Sequence, residues 1–211
     1  MNCDFIARWY RWLEYLAFGK ALERRRREYL DEAANAGSVL ILGDGDGRFT
    51  AELLRRSAAL IDSVDLSPRM LSLAQGRIRE HKPNGTRLRF HQGDARTMKL
   101  PPKKYDLIVS HFFLDCFTPD ELPVLIARIS HAAGPQARWL ISEFGVPSTG
   151  IRRVAGAFLI KVMYWFFRAL TGLKARRLPD YSTSLSLHGF RRVRHRSTAD
   201  GFLVSELWER S

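Results

Sequence analysis

The feature that most constrains this chain is Val39-Leu40-Ile41-Leu42 running straight into Gly43-Asp44-Gly45-Asp46-Gly47, with Arg48 and Phe49 opening the next segment. Four consecutive apolar residues read as a buried strand. Glycines at alternate positions then let the backbone take positive φ and approach a ligand with no Cβ in the way. The segment reads as a strand that turns into a helix around a bound cofactor. The residue three after Gly45 is Arg48, so the G-x-G-x-x-G of dinucleotide sites is not met, which points away from NAD. The same residues also suit a tight strand-to-helix turn with no ligand.

Two further apolar stretches end on acids. Leu60-Ile61-Asp62-Ser63-Val64 ends in Asp65, where a carboxylate can grip ribose hydroxyls, and Leu88-Arg89-Phe90 leads to Asp94. Asp65 is followed by Leu66-Ser67-Pro68, so it also stands where a helix begins, with Ser67 as N-cap and Pro68 in the first turn. Asp94 alone fits loop solvation as well as base recognition.

On these residues the chain resembles the class I S-adenosylmethionine-dependent methyltransferases, in particular the small-molecule branch of the ubiquinone and menaquinone ring methyltransferases. Gly43, Asp44, Gly45, Asp46 and Gly47 match the cofactor loop, Asp65 the ribose acid, Asp94 with Ala95 the adenine contact, and Tyr105-Asp106-Leu107-Ile108-Val109-Ser110-His111 the fourth strand. The resemblance implies S-adenosylmethionine as cofactor and adds Leu66, Met70 and Ser110 to its site. One position departs from the pattern. The acid that the family carries two residues before the first glycine is Ile41 here, which leaves the charge at the methionine end to Asp44 or Asp46.

Strand and helix patterns alternate along the chain. Helices are expected over 23–36, 48–58, 68–81 and 119–132, and strands over 39–42, 60–65, 87–91, 105–111 and 137–143. The last two segments, 190–197 and 202–208, are too close for a helical crossover, so one runs antiparallel. The expected fold is α/β: a doubly wound, mainly parallel, seven-stranded Rossmann-like sheet with an antiparallel last strand. At 211 residues and 45% hydrophobic content, one domain over 1–211 is expected. Phe5, Trp9, Trp12, Leu13 and Leu16 recur at helical spacing, so residues 1–36 read as an N-terminal helical cap. Cys3 and Cys116 suggest neither a disulfide framework nor a metal site. Asp4, Arg8, Arg11 and Glu14 interrupt any signal-peptide core, so a cytoplasmic protein is expected.

Residues 145–188 read as an insertion before the last two strands. Within it, 151–177 carries seven Lys or Arg and no acid, with Phe158, Tyr164, Trp165, Phe166 and Phe167 among its apolar residues. Lys161 and Arg168 fall on one helical face, leaving a broad apolar remainder. Two readings stand: a helix in the plane of a membrane surface, giving peripheral contact at the inner membrane face, or a lid over the substrate pocket. The charges interrupt it too often for a span. The formal charge of +12 also draws nucleic acid, although no RNA-binding appendage is recognisable.

The acceptor chemistry asks for alignment of nucleophile and methyl group, exclusion of water and, for a phenol or ring carbon, a base. His111, at the end of the fourth strand, and Asp115 are the catalytic candidates, beside Phe112. His188 and Tyr181 could reach in from the late loop. The reading is a methyltransferase for a small, hydrophobic acceptor of quinone-like, phenolic or lipid-like character. An RNA methyltransferase, or a silent cofactor-binding or membrane-surface scaffold, are the alternatives.

Overall fold

The computed structural model describes residues 20–79, 87–145, 178–198 and 201–211. The expected amphipathic helix near the N-terminus and the 151–177 segment lie outside them. Seven strands form one sheet: β1 (Ser38–Leu42), β2 (Leu60–Asp65), β3 (Leu88–Gln92), β4 (Tyr105–His111), β5 (Ala133–Phe144), β6 (Phe190–Ser197) and β7 (Leu203–Arg210). Their order is β3-β2-β1-β4-β5-β7-β6. The first five pair in parallel, and β7 runs antiparallel between β5 and β6. From β1 the chain winds outward to β2 and β3, then returns to β1's other side with β4. That reversal opens a crevice beyond the carboxyl ends of β1 and β4, the usual ligand position in open α/β sheets.

Strands β1 and β4 are apolar without alternation because both faces are covered. Seven helices complete the described residues: α1 (Ala21–Arg26), α2 (Leu30–Ala34), α3 (Arg48–Arg56), α4 (Pro68–Arg79), a 3-10 turn (Leu114–Cys116), α5 (Glu121–Ala132) and α6 (Ser182–Leu187). Leu40, Ile108, Trp139 and Trp208 pack with Leu125 and Ile129 of α5 on one face, while Val39, Leu107 and Leu140 pack with Phe49 and Leu53 of α3 on the other.

Three elements differ from expectation. The helix expected over 23–36 is broken at Tyr29 (φ −118°, ψ 32°). The Arg25 carbonyl, which would accept from Tyr29 in a continuous helix, instead takes Ser142 Oγ at 3.1 Å and Ser205 Oγ at 2.9 Å. Strand β5 begins at Ala133, ahead of Gly134 and Pro135, residues that read as turn formers in isolation. Helix α6 was not expected at all; Asp180 caps it, accepting from Ser182 N at 2.9 Å and from Thr183 Oγ1 at 2.8 Å. Conversely, α5 begins with a capping box in which Glu121 N donates to Thr118 Oγ1 at 3.3 Å and Thr118 N to Glu121 Oε2 at 3.1 Å.

Candidate functional site

The three glycines of the β1–α3 turn all have positive φ, at 66°, 61° and 78°, but their surroundings differ. A Cβ on Gly47 would stand 2.8 Å from the Ala74 Cα, so this glycine lets α3 pack against α4. A Cβ on Gly45 would meet nothing within 4 Å. The backbone at Gly45 therefore borders open space at the crevice, as a turn that admits a ligand must. This fits S-adenosylmethionine, whose adenosyl group needs close backbone approach.

The loop acids serve the loop. Asp44 Oδ2 accepts from Thr50 N at 2.9 Å and Thr50 Oγ1 at 2.6 Å, tying the turn to the first residues of α3. Burial pushes its pKa up to about 6. Asp46 is held by Arg48 at 3.0 Å and by Arg77 of α4 at 2.8 Å. Asp46 is thus a brace between loop and helix, contrary to its expected place at the methionine end. Ile41 is 1% exposed and faces the core, so the position of the missing acid has no access to the crevice.

Asp65 ends β2, and its Oδ1 accepts from Ser67 N at 2.8 Å. Ser67 caps α4 as its sequence suggests, accepting from Met70 N at 3.1 Å. Leu66 between them is 41% exposed, an apolar side chain left uncovered beside Asp65, whereas Met70 is buried inside α4's packing face. After β3, Asp94 accepts from Arg96 Nε at 3.0 Å and Arg96 N at 2.9 Å, and Arg96 reaches on to Glu121 at 2.7 Å. The arginine beside it holds the Asp94 carboxyl below its ordinary range. Asp94 therefore anchors its loop to the start of α5, with Ala95 buried in the core beneath. Ser110 corrects an expectation: it is fully buried and its hydroxyl accepts from Trp139 Nε1 at 2.9 Å, a core bond and not a crevice contact.

The end of β4 carries the least satisfied chemistry. His111 is 7% exposed, and neither ring nitrogen has a hydrogen-bond partner. Its ring meets Phe49 edge-on at 4.8 Å. Burial, with the nearby Arg26 charge, depresses its pKa to about 3, so the imidazole is neutral across the physiological range. Phe112 follows at φ 53°, a strained conformation for an aromatic residue. Its ring lies 5.1 Å from Phe144, which lies 5.7 Å from Phe202. Asp115, in the 3-10 turn, is buried, and that burial lifts its pKa to about 6.

Two residues here went unnoticed in the sequence. Glu143, at the end of β5, is 1% exposed and accepts from Phe113 N at 3.1 Å and Leu114 N at 2.8 Å, with Oε2 unbonded. Burial and the Asp115 charge push its carboxyl well above the usual range. A lone acid closing an apolar strand was the available signal. Arg26, the other, reads in sequence as one of four consecutive arginines, but its guanidinium carbon lies 5.2 Å from the Phe112 ring centroid. His188 is not at the site. It follows α6 and leads through Gly189 into the start of β6, at the opposite end of the sheet. Tyr181 donates to Glu206 Oε2 at 3.2 Å, and Glu206 also bonds Trp208 and Arg192, so its hydroxyl belongs to a network on β7.

Comparison with known proteins agrees with this geometry. Residues 39–136 match the family described as methyltransferase domain. The malonyl-[acyl-carrier protein] O-methyltransferase of Halalkalibacterium halodurans is 34% identical over 128 residues, covering 59% of this chain and 44% of the relative. The chain thus spans less than half of that relative's length. Magnesium protoporphyrin IX methyltransferase from Synechocystis PCC 6803, solved with S-adenosylhomocysteine, superposes with a TM-score of 0.67 at 20% identity, over 93% of this chain and 84% of that one. The N-methyltransferase NodS of Bradyrhizobium japonicum, also with S-adenosylhomocysteine, gives 0.62 at 16%, over 90% and 87%.

Proposed function

With residues 39–136 a methyltransferase domain and the fold that of the class I S-adenosylmethionine-dependent methyltransferases, we propose that this protein methylates a small, hydrophobic acceptor. The observation that carries the reading is the aromatic cluster of Phe112, Phe144 and Phe202 next to a buried imidazole with neither nitrogen bonded. Bound in the crevice, the cofactor supplies a sulfonium methyl that is already strongly electrophilic. The Gly45 backbone and Asp65 hold the adenosine, with Leu66 along the base. His111, neutral and unbonded, offers a donor and an acceptor that orient the acceptor molecule. Asp115, with a proton affinity near neutrality, is the better matched proton acceptor.

A second reading is favoured by the relative's name and by the weakness of His111 as a base. A carboxylate oxygen is an anionic nucleophile already and needs no proton removed, so O-methylation of a carboxylate suits this crevice. Contact of 151–177 with an anionic membrane surface belongs to the proposal on sequence grounds alone. Among the described residues, no helix is long and apolar enough to cross a membrane. The test is mass spectrometry after incubation with isotopically labelled methyl donor and a cellular extract. Label in an apolar small molecule supports the first reading and label as a methyl ester the second. Label in RNA, or none with no binding of S-adenosylhomocysteine at millimolar concentration, rejects both.

A further inference from the structure

Three successive N–H groups follow β4, and the end of β5 takes all of them. Phe112 N donates to the Ser142 carbonyl at 2.6 Å, continuing the β4–β5 ladder by one step. Phe112 then turns at φ 53°, and the chain leaves the sheet for the 3-10 turn. From there Phe113 N and Leu114 N meet the Glu143 side chain in place of a β5 carbonyl, with Oε1 accepting at 3.1 and 2.8 Å. An aromatic residue at positive φ persists only where its surroundings over-determine it, and these bonds do so.

The turn so held carries the Phe113 ring to the glycine loop. A Cβ on Gly43 would stand 2.5 Å from Phe113 Cδ2 and 3.2 Å from Cε2, so the ring lies directly against the glycine that follows β1. Phe117 backs the ring edge-on at 5.0 Å. The contact joins the two strand ends between which the crevice opens, so the seat of the ring sets the shape of the crevice there. Glu143 itself is sealed beneath the turn, and burial with the Asp115 charge drives it toward its protonated form. It works through one accepting oxygen and not as an exposed charge.

We propose that Glu143 is a positioning residue of the methyl-transfer site, whose Oε1 fixes the turn after β4 so that the Phe113 ring stays seated against Gly43. The inference rests on the methyltransferase reading above. A cofactor bound along Gly43 and Gly45 then meets a preformed surface, and a freed turn would have to be ordered at the cost of affinity.

The test is calorimetry with S-adenosylhomocysteine on variants whose melting curves show them folded. Glu143→Leu removes the acceptor and should weaken binding roughly 5- to 30-fold, the scale of one to two hydrogen bonds. Glu143→Gln keeps a carbonyl oxygen for both N–H groups and should bind within about twofold of wild type, even if its buried amide lowers the melting temperature. Phe113→Ala should weaken binding by a factor like that of Glu143→Leu, and the double variant should lose little more, because the ring that the turn holds is already gone. Unchanged affinity in Glu143→Leu, an equal loss in Glu143→Gln, or losses that multiply in the double variant overturn the proposal. So does unchanged affinity in Phe113→Ala, whether or not the Glu143 variants fold. Failure of wild-type protein to bind S-adenosylhomocysteine at all would instead reject the methyltransferase reading, and this proposal with it.

Discussion

Where the strands begin, Asp62 of β2 is bonded by His91 Nε2 at 2.7 Å, by the Tyr105 hydroxyl at 2.9 Å and by Lys104, while Asp106 accepts from Gly37 N and Ser38 N at 2.9 and 3.0 Å. Where the strands finish, His111 is buried with both nitrogens open and Glu143 has an oxygen with no partner. The backbone divides less cleanly: Gly43, Gly45, Gly47 and Phe112 take positive φ at the finishing end, and Lys103 and Gly189 do so just before β4 and β6 begin. A buried polar group left unbonded costs about 1–3 kcal/mol. The acids where the strands begin are thus fully engaged, whereas His111 and Glu143 where they finish keep unbonded atoms, although the Ser38 hydroxyl at the start of β1 is unbonded too.

Five variants would sharpen or break this contrast. Asp62→Ala strands Lys104, Tyr105 and His91 and should cost about 3–4 kcal/mol in denaturant unfolding, the scale for breaking a buried pair. Its affinity for S-adenosylhomocysteine should be unchanged; a binding defect with intact stability would erase the distinction between the ends. Gly47→Ala drives a Cβ toward the Ala74 backbone and should cost about 2–3 kcal/mol of stability. Gly45→Ala, strained but unobstructed, should cost only about 1 kcal/mol of stability while abolishing cofactor binding. If the two glycines behave alike, the open space at Gly45 is not the ligand's.

Asp65→Ala should weaken S-adenosylhomocysteine by roughly 1.5–3 kcal/mol in calorimetry and shift the melting temperature little. The smallest expected effect concerns pH. With its folded pKa depressed to about 3 against 6.5 unfolded, His111 contributes stability that is full above pH 6.5 and is lost as pH falls toward 3. Asp44 and Asp115, raised to about 6, work in the opposite sense, contributing below their unfolded value and losing it as pH rises to 6. The difference between wild type and His111→Phe isolates the histidine. Between pH 7 and pH 5 the wild type should lose about 1–2 kcal/mol more than the variant. Parallel curves would show that the imidazole is hydrated and not sealed.

Legibility followed the range of the interactions. The glycine turn, the alternation of strands and helices, the antiparallel last strand and the Ser67 cap depend on a few adjacent residues, and all were readable as pattern. The break at Tyr29 was not, because Arg25 is pulled out of register by serines 117 and 180 positions away. Ser110 looked like a site residue until Trp139 claimed its hydroxyl across two strands.

What the chain decides locally is the kind of fold: apolar runs too uniform for a one-sided sheet, and glycines where a strand must turn sharply without side chains. What each charge is bonded to was settled only in three dimensions. Asp44, Asp46 and Asp94 all read as free carboxylates along the chain, yet Thr50, Arg48, Arg77 and Arg96 engage them. Arg26, one of four identical neighbours in sequence, is singled out by the ring of Phe112. Periodicity records which face a residue occupies, but a hydrogen bond is between two groups, and its partner comes from wherever the packing brings one within 3 Å.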